Sequence, residues 1–341
     1  MNGNPLVYID VERMKYKNIG LFTFCEQLIL ALKGNFNYKY FGDVNVCSLK
    51  PKWYHKYFGV RLKDIDLWHA THQDTKYLPS SKIPVVLTIH DLNFLYTNKS
   101  KERKNKRIRN LQKLVDRSSY VVVISDYVLN DVKRHINLRS KPFKVIYNGT
   151  VINENIISSD VLCEEEFLFS LGTVVPKKNI KVLLGFIAKT NYKLIIAGVH
   201  SNANYLEEIK NEIIRLRLEN KVVLTGAVSE QDKNWYYKNC KAFLFPSLSE
   251  GFGLPVIEAM RYGKPVFCSS LTSLPEIAGK EAFYFRSFDS DIMLEVFEKG
   301  MIEMKENPEK PLKIINWSKK YTWEKTANNY EEIYLEVLGS L

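Results

Sequence analysis

What most constrains the fold is an alternation that occurs twice. Short, mostly apolar runs of four or five residues, most of them with Val or Ile, occur at 6–9, 67–70, 85–89, 120–124 and 143–147. Each is too short for a buried helix and has the composition of a strand covered on both faces. Helical patterns lie between and after them, at about 20–32, 106–117 and 126–135. Residues 150–165 are poorer in pattern and read as a linker. The alternation then restarts, with strands expected at 167–171, 193–197, 222–225, 242–245 and 266–269. Helices are expected at 178–189, 204–217, 232–238 and 255–262. Repeated strand–helix units imply parallel sheets covered by helices on both faces. Two such sets imply two doubly wound α/β domains, and 341 residues suit two cores of ordinary size. The stretch 323–338 is a further amphipathic helix, with Trp323, Ala327, Tyr330, Tyr334 and Leu338 on one stripe.

Composition narrows the class. No stretch approaches the roughly 18–20 apolar residues needed to span a bilayer. The start of the chain lacks the basic and apolar regions of a signal peptide, so the expected location is cytoplasmic. Cys25, Cys47, Cys163, Cys240 and Cys268 are scattered, without a CxxC pair or zinc-like spacing, and read as small buried apolar residues. The net charge of +11 is uneven, at +14 over residues 1–150 and −3 over the remainder. The excess concentrates between Lys99 and Arg117, with nine basic residues against two acidic ones. A solvated helix face is one reading. An anionic membrane surface or an anionic lipid-linked acceptor is the favoured one. Nucleic acid is disfavoured, because the stretch has no interleaved aromatics and no known reader motif.

The chemistry concentrates in Ser249-Glu-Gly-Phe-Gly-Leu-Pro-Val-Ile-Glu258-Ala-Met260. A strand enters a glycine-rich loop that opens a helix, with Pro255 in the first turn, where a missing N–H costs nothing. Gly251 and Gly253 allow the backbone to approach a ligand closely. The helix N-terminus favours an anion such as phosphate. Glu250 precedes the loop, and Glu258 lies about one turn into the helix, where its carboxylate suits vicinal hydroxyls of a sugar or ribose. Lys177 and Lys178 sit one strand–helix unit upstream, and His90 and Asp91 follow the strand at 85–89. Two Asp-x-Asp strings raise the question of a metal. Asp64-Ile-Asp66 leads into a strand, which puts it at the wrong sheet edge, and Asp289-Ser-Asp291 resembles a helix N-cap. No metal is expected.

These residues resemble the donor-site signature of retaining GT-B glycosyltransferases, in particular glycosyltransferase family 4. The resemblance rests on Glu250-x7-Glu258 with its Gly-Phe-Gly-Leu-Pro insert and on Leu171-Gly-Thr-Val-Val-Pro-Lys-Lys-Asn179. Thr88-Ile-His-Asp91, Tyr147-Asn-Gly149, Leu274-Pro-Glu-Ile-Ala-Gly279 and Tyr321-Thr-Trp-Glu324 add to it, so that it covers nearly the whole chain.

It implies a GT-B fold, two Rossmann-like domains facing across a cleft. Residues 1–155 would form the acceptor-side domain and 156–318 the nucleotide-sugar domain, with 319–341 crossing back onto the first. It implies catalytic roles for His90, Glu250 and Lys178. Lys178 would meet the donor diphosphate, assisted by Lys177, where relatives often carry arginine. Glu258 would hold the ribose, Glu250 would contact the transferred sugar, and His90 would sit beside that sugar. Gly172, Thr173, Gly251, Phe252, Gly253 and Leu254 would line the donor, with Gly20 approaching its phosphate. The implied reaction moves a hexosyl group from a nucleoside-diphosphate sugar, GDP-mannose-type or UDP-linked, to a glycan or lipid-linked saccharide. It would proceed with retention and without a metal or other cofactor, in surface polysaccharide or lipopolysaccharide biosynthesis, at the inner face of the membrane. A sugar-nucleotide epimerase of similar shape and a basic nucleic-acid-binding protein are the competing classes.

Overall fold

The computed structural model describes residues 4–16, 20–34, 36–80, 82–97, 99–151 and 165–339. The chain divides into two compact units, one formed by Met1–Gly149 with Thr322–Leu341 and the other by Thr150–Tyr321.

The first unit is built on a parallel sheet of β1 (Leu6–Asp10), β2 (Asn37–Phe41), β3 (Leu67–Ala70), β4 (Val85–Ile89), β5 (Tyr120–Val123) and β6 (Phe143–Val145), in the order β2-β1-β3-β4-β5-β6. Every residue of β3, β4 and β5 is buried, which explains why these strands read as unbroken apolar runs. β2, Asn-Tyr-Lys-Tyr-Phe at the sheet edge, alternates exposed and covered residues and is missing from the sequence reading because its runs are broken by polar side chains.

Among the described residues the α-helices before the linker stretch are α1 (Gly20–Ala31), α2 (His55–Phe58), α3 (Lys101–Arg117) and α4 (Asp126–His135). α3 starts five residues before the expected helix, because the Ser100 hydroxyl accepts from the Arg103 amide and caps it there. The last helix, α12 (Trp323–Gly339), belongs to this unit. Its Trp323, Ala327, Tyr330, Ile333, Tyr334 and Val337 join Phe24, Cys25 and Leu28 of α1 in one core. Two of its tyrosines also satisfy buried polar groups of the sheet. The Tyr334 hydroxyl pairs with His69 Nδ1 at 2.8 Å, His69 Nε2 pairs with Thr88 Oγ1 at 2.9 Å, and Thr88 Oγ1 pairs with the Tyr330 hydroxyl at 2.9 Å. Such a closed chain removes the cost of burying these groups.

The second unit repeats the plan. β7 (Phe167–Leu171), β8 (Lys193–Ala197), β9 (Val222–Gly226), β10 (Ala242–Phe245), β11 (Val266–Ser269) and β12 (Phe283–Phe285) form a parallel sheet in the order β12-β11-β10-β7-β8-β9. Its helices are α5 (Val182–Ile187), α6 (Ala203–Arg215), α7 (Glu230–Asn239), α8 (Leu254–Arg261), α9 (Leu274–Ala278), α10 (Ser290–Glu306) and α11 (Lys310–Ser318). The helix expected at 178–189 is interrupted. Pro176–Lys178 forms a single 3-10 turn, Asn179 follows in the left-handed region at φ 54°, and α5 begins only at Val182. Asn tolerates that conformation better than most residues. Lys178 therefore ends a tight turn and does not open a helix.

Each sheet winds outward from its first strand and then returns to that strand's other side. The reversal falls between β1 and β3 in the first unit and between β7 and β10 in the second. Ligands of open α/β sheets bind beyond the C-terminal strand ends at such a switch point. Cys25, Cys240 and Cys268 are buried and Cys47 is partly so; Cys163 and the linker residues 152–164 lie outside the described residues. Among the described residues no helix is long and apolar enough to cross a membrane.

Candidate active site

In the second unit the switch point collects most of the residues singled out in the sequence. The loop after β7 carries Gly172, Thr173, Lys177 and Lys178, and the loop after β10 carries Glu250. Lys178 Nζ lies 2.5 Å from Glu250 Oε1, with both side chains largely covered. The lysine is steered there from two sides. Its Nζ stands 4.8 Å from the centre of the Phe245 ring, and a methyl added at Gly172 would meet Lys178 Cε at 3.3 Å. Lys177 has an exposed side chain, while its carbonyl accepts from the Leu248 amide at 2.8 Å and lies 3.2 Å from Ser247 Oγ.

Glu250 is fixed by a set of hydroxyls that the sequence reading did not include. Ser247 Oγ donates to Glu250 Oε1 at 2.6 Å, and the Glu250 amide donates to Thr272 Oγ1 at 3.1 Å. Ser273 Oγ lies 3.1 Å from the carbonyls of both Glu250 and Phe252. Burial alone would raise the carboxyl's pKa. The Lys178 and Lys177 charges and the hydrogen bonds from Lys178 and Ser247 outweigh it and hold Glu250 below the usual carboxylate range. The visible signal is the string Ser269-Ser-Leu-Thr-Ser273 beside β11, hydroxyls placed at a strand's C-terminal end.

α8 begins directly after the loop. Gly251, Phe252 and Gly253 are buried, and Phe252 packs edge-on against Tyr321 at 5.5 Å. Gly253 caps the helix at φ +101°, a conformation L side chains avoid, and a Cβ there would fall 2.6 Å from Leu274 Cδ2. The N-cap of α8 is Gly253, which has no side chain to cap the first-turn amides. Glu258, one turn in, accepts from the Tyr237 hydroxyl at 2.8 Å on Oε2, and Lys233 Nζ is 3.4 Å from Oε1. Lys233 loses solvation, but Glu258 and Glu230 more than compensate and hold its pKa above the ordinary lysine value. Each carboxylate oxygen has two acceptor directions, so Glu258 keeps capacity for further hydroxyl donors.

The first unit's switch point has a different chemistry. His90 follows β4 and is buried, with Nε2 donating to the Thr71 carbonyl at 2.7 Å and its amide donating to Gln73 Oε1 at 3.0 Å. Phe24 meets its ring edge-on at 4.6 Å. Burial lowers the His90 pKa to about 4, against a small opposing effect from the Thr71 carbonyl. The ring is therefore neutral, with Nδ1 as the acceptor.

Around it stands a polar cluster that the sequence reading passed over. Asp10 ends β1, is fully buried, and accepts from Thr75 Oγ1 at 2.5 Å and the Glu12 amide at 3.1 Å. Burial pushes its carboxyl up to about 7, despite those hydrogen bonds. Arg13 Nε donates to His72 Nε2 at 3.0 Å, and burial holds His72 well below the usual histidine range. The signal was Thr71-His-Gln-Asp-Thr75, five polar residues closing an apolar strand. Gly20 opens α1 in the open, with no atom within 4 Å of an added Cβ.

The Asp-x-Asp strings are occupied structurally. Asp66 Oδ2 accepts from the Leu6 amide at 2.7 Å. Asp289 caps α10 by accepting from Asp291 and Ile292 amides, and Asp291 pairs with Lys189. Among the described residues no group of three or more His, Cys, Asp or Glu side chains stands together as a metal site would require.

Comparison with known proteins agrees with this architecture. The family profile described as Glycosyl transferases group 1 matches residues 152–321, and that described as Glycosyltransferase Family 4 matches residues 48–154. The serotype-specific mannosyltransferase WbdA of Escherichia coli is 28% identical over 296 residues, which take in 79% of this chain and 36% of that protein. The O-antigen chain mannosyltransferase RfbU of Salmonella typhimurium is 28% identical over 205 residues, 60% of this chain and 57% of that one. The chain thus spans about a third of the length of WbdA. Among solved structures, sucrose-phosphate synthase from Thermosynechococcus elongatus superposes with a TM-score of 0.74 at 15% identity, over 99% of this chain and 100% of that one. HepE from Anabaena, crystallised with UDP and glucose, gives 0.66 at 17% identity, over 98% and 99%. These likenesses show the GT-B fold. With the two profiles matched end to end across residues 48–321, the chain belongs to the group 1 glycosyltransferases of family 4.

Proposed function

We propose that the chain transfers a hexosyl group from a nucleoside-diphosphate sugar to a hydroxyl of a glycan or lipid-linked saccharide. The observation that carries this reading is the Lys178–Glu250 pair at the β7/β10 switch point, with Glu258 on the helix that starts beside it. Lys178, Lys177 and the α8 N-terminus offer positive potential to a diphosphate. Glu258 offers a carboxylate to the ribose hydroxyls, and Glu250 contacts the transferred sugar. Gly172, Thr173, Phe252, Gly253 and Leu254 bring main chain close to the donor. On the first unit, His90 presents a neutral ring nitrogen to a sugar hydroxyl, and Gly20 leaves α1 open to a phosphate oxygen.

In the reaction the bond from the sugar's anomeric carbon to the diphosphate oxygen breaks, and the diphosphate leaves with the electron pair. The acceptor oxygen bonds to the same carbon from the same face, and its proton passes to the departing phosphate. Retention of configuration follows. The lysines and the helix N-terminus stabilise the charge that develops on the diphosphate, the task a metal ion performs elsewhere, so the reaction needs none.

The mannosyltransferase relatives favour a GDP-mannose-type donor, and HepE with its UDP keeps a UDP-sugar in view. The same relatives favour a role in surface polysaccharide biosynthesis. The basic face of α3 suits an anionic lipid-linked acceptor or the lipid surface that carries it.

A thermal-shift panel of GDP-mannose and UDP- and dTDP-sugars tests the reading. One nucleotide class should raise the melting temperature in the presence of EDTA. If no nucleotide sugar shifts it, the donor site is misassigned.

A further inference from the structure

The first unit carries an exposed feature that the donor site does not use. α2 and the turn before it present Trp53, Tyr57 and Phe58 to solvent at 74%, 77% and 69% exposure. Large aromatic side chains left this open in one short segment mark a contact surface. The three are not loosely hung. Trp53 packs against Tyr54 at 5.9 Å and Tyr57 at 6.5 Å. His55, between them, is buried beside Phe41 and accepts from the Lys52 amide at 3.1 Å, which anchors the turn to the unit's core.

The surrounding charge is mostly positive, although Lys50 pairs with the exposed Asp43 and the exposed Asp64 follows Lys63. From Lys50 to Lys63 the sequence holds Lys50, Lys52, Lys56, Arg61 and Lys63, and no Asp or Glu. All five are exposed. A cavity of about 410 Å³ lies between α2 and the C-terminal turn of α3, with Lys56, Lys76 and Arg117 among its lining residues and no carboxylate. α3 adds the exposed Arg103, Lys106, Arg109 and Lys113 along one side of the helix, where they outnumber the exposed Glu102 and Asp116.

We propose that the Trp53–Tyr57–Phe58 cluster seats the first unit on an anionic lipid surface, with the flanking lysines and arginines on lipid phosphates. Trp and Tyr favour the interfacial depth of a bilayer, where a ring is buried and its polar edge stays wet. Basic side chains next to them gain from the negative surface potential, and their stems cover apolar area. Aromatics alone would suit a sugar face equally well; the excess of basic over acidic residues around them selects the lipid. The proposal deepens the anionic-surface reading of α3 and rests on it only for the sign of the charge, since the aromatic insertion has its own readout.

That readout is Trp53, the one exposed tryptophan among the described residues. The full chain is mixed with vesicles of phosphatidylcholine, with and without phosphatidylglycerol as a third of the lipid. With the anionic vesicles, tryptophan emission shifts to the blue and the protein co-sediments, and the shift is absent in Trp53→Phe. The triple variant Trp53→Ser, Tyr57→Ser, Phe58→Ser binds these vesicles about tenfold more weakly or worse, with unchanged melting temperature and nucleotide affinity. Co-sedimentation without any Trp53 shift, and with the triple variant binding like the parent, overturns the proposal and leaves α3 as the lipid contact. Absence of binding to either vesicle overturns both. A Trp53 response to soluble mannan and none to vesicles overturns the lipid assignment in favour of a glycan chain. Nucleotide affinity is measured separately, so failure of the donor-site reading is not confused with any of these.

Discussion

The two switch points occupy the same place in two similar sheets and solve the burial of polar groups in opposite ways. Beyond β7 and β10, charges are kept and matched: Lys178 with Glu250, and Lys233 with Glu258. Beyond β1, β3 and β4, titratable groups are stripped of charge by burial. His90 is lowered to about 4 and Asp10 is raised to about 7, and inside β3 His69 is lowered to about 3. A matched ion pair can be exchanged for a charged ligand with little net change in field, whereas a neutral cluster accepts neutral hydroxyls and resists an isolated charge. On the proposed function, the anionic part of a donor would therefore suit the second unit's charged cluster better than the neutral one around His90.

The widest gap between the units should appear in their response to pH. The folded state keeps a proton on Asp10 that the unfolded chain releases above its ordinary carboxylate pKa. Ionisation therefore costs the first unit stability progressively from about pH 4 until about pH 7. Asp10→Asn removes that penalty, and its advantage over the parent should grow across this window to roughly 4 kcal/mol and then level off. The buried histidines act in the other direction. Their folded pKa values lie below the unfolded ones, so their contribution is intact above about pH 6.5 and is lost as pH falls toward 4. Hydrogen exchange read separately in β1–β4 and β7–β10 resolves the two units. A flat difference between parent and Asp10→Asn would show that Asp10 is already ionised, and the contrast between the switch points would be lost.

The next effect is Lys178→Ala. It should lower transfer by about a hundred- to a thousandfold, roughly 3–4 kcal/mol, because the diphosphate loses its main counter-charge. It also strands Glu250 among hydroxyls, and the melting temperature of the second unit should fall. Full activity in this variant would remove the ion pair from the donor site. The smallest change is expected from Glu258→Ala, about tenfold in nucleotide affinity by calorimetry, with turnover at saturation little altered. Glu250→Ala should do the reverse, lowering turnover more than binding. If the two variants behave alike, the separation of ribose and sugar contacts within the second unit fails.

The sequence makes legible the strands whose apolar residues run with little or no break, including the half-covered edge strands β6 and β9. β3, β4, β7 and β10 are covered on both faces and read as apolar runs. β2 and β12 lie at sheet edges, and the exposed face of β2 breaks the run. The Glu250–Glu258 string is local, so its loop-and-helix geometry follows from glycine, proline and spacing alone. The hydroxyls of Thr272 and Ser273 and the supports Tyr237 and Lys233 are not local. They reach the carboxylates only because β11 lies beside β10 and α7 packs beside α8, a matter of strand order that no residue pattern states. Asp10 was hidden for a related reason: a lone aspartate at the end of an apolar strand looks exposed until β3 and its polar tail close over it.

The return of α12 to the first unit has a consequence for synthesis. Tyr330 and Tyr334 fill that unit's core and hold His69 and Thr88, yet they are encoded after all of the second unit. On the ribosome the first-made strands must wait, with one side of their core uncovered, while the second unit emerges with every strand of its own sheet in hand. Folding of this chain should thus finish where translation began, the opposite of the usual order for domains strung along a chain.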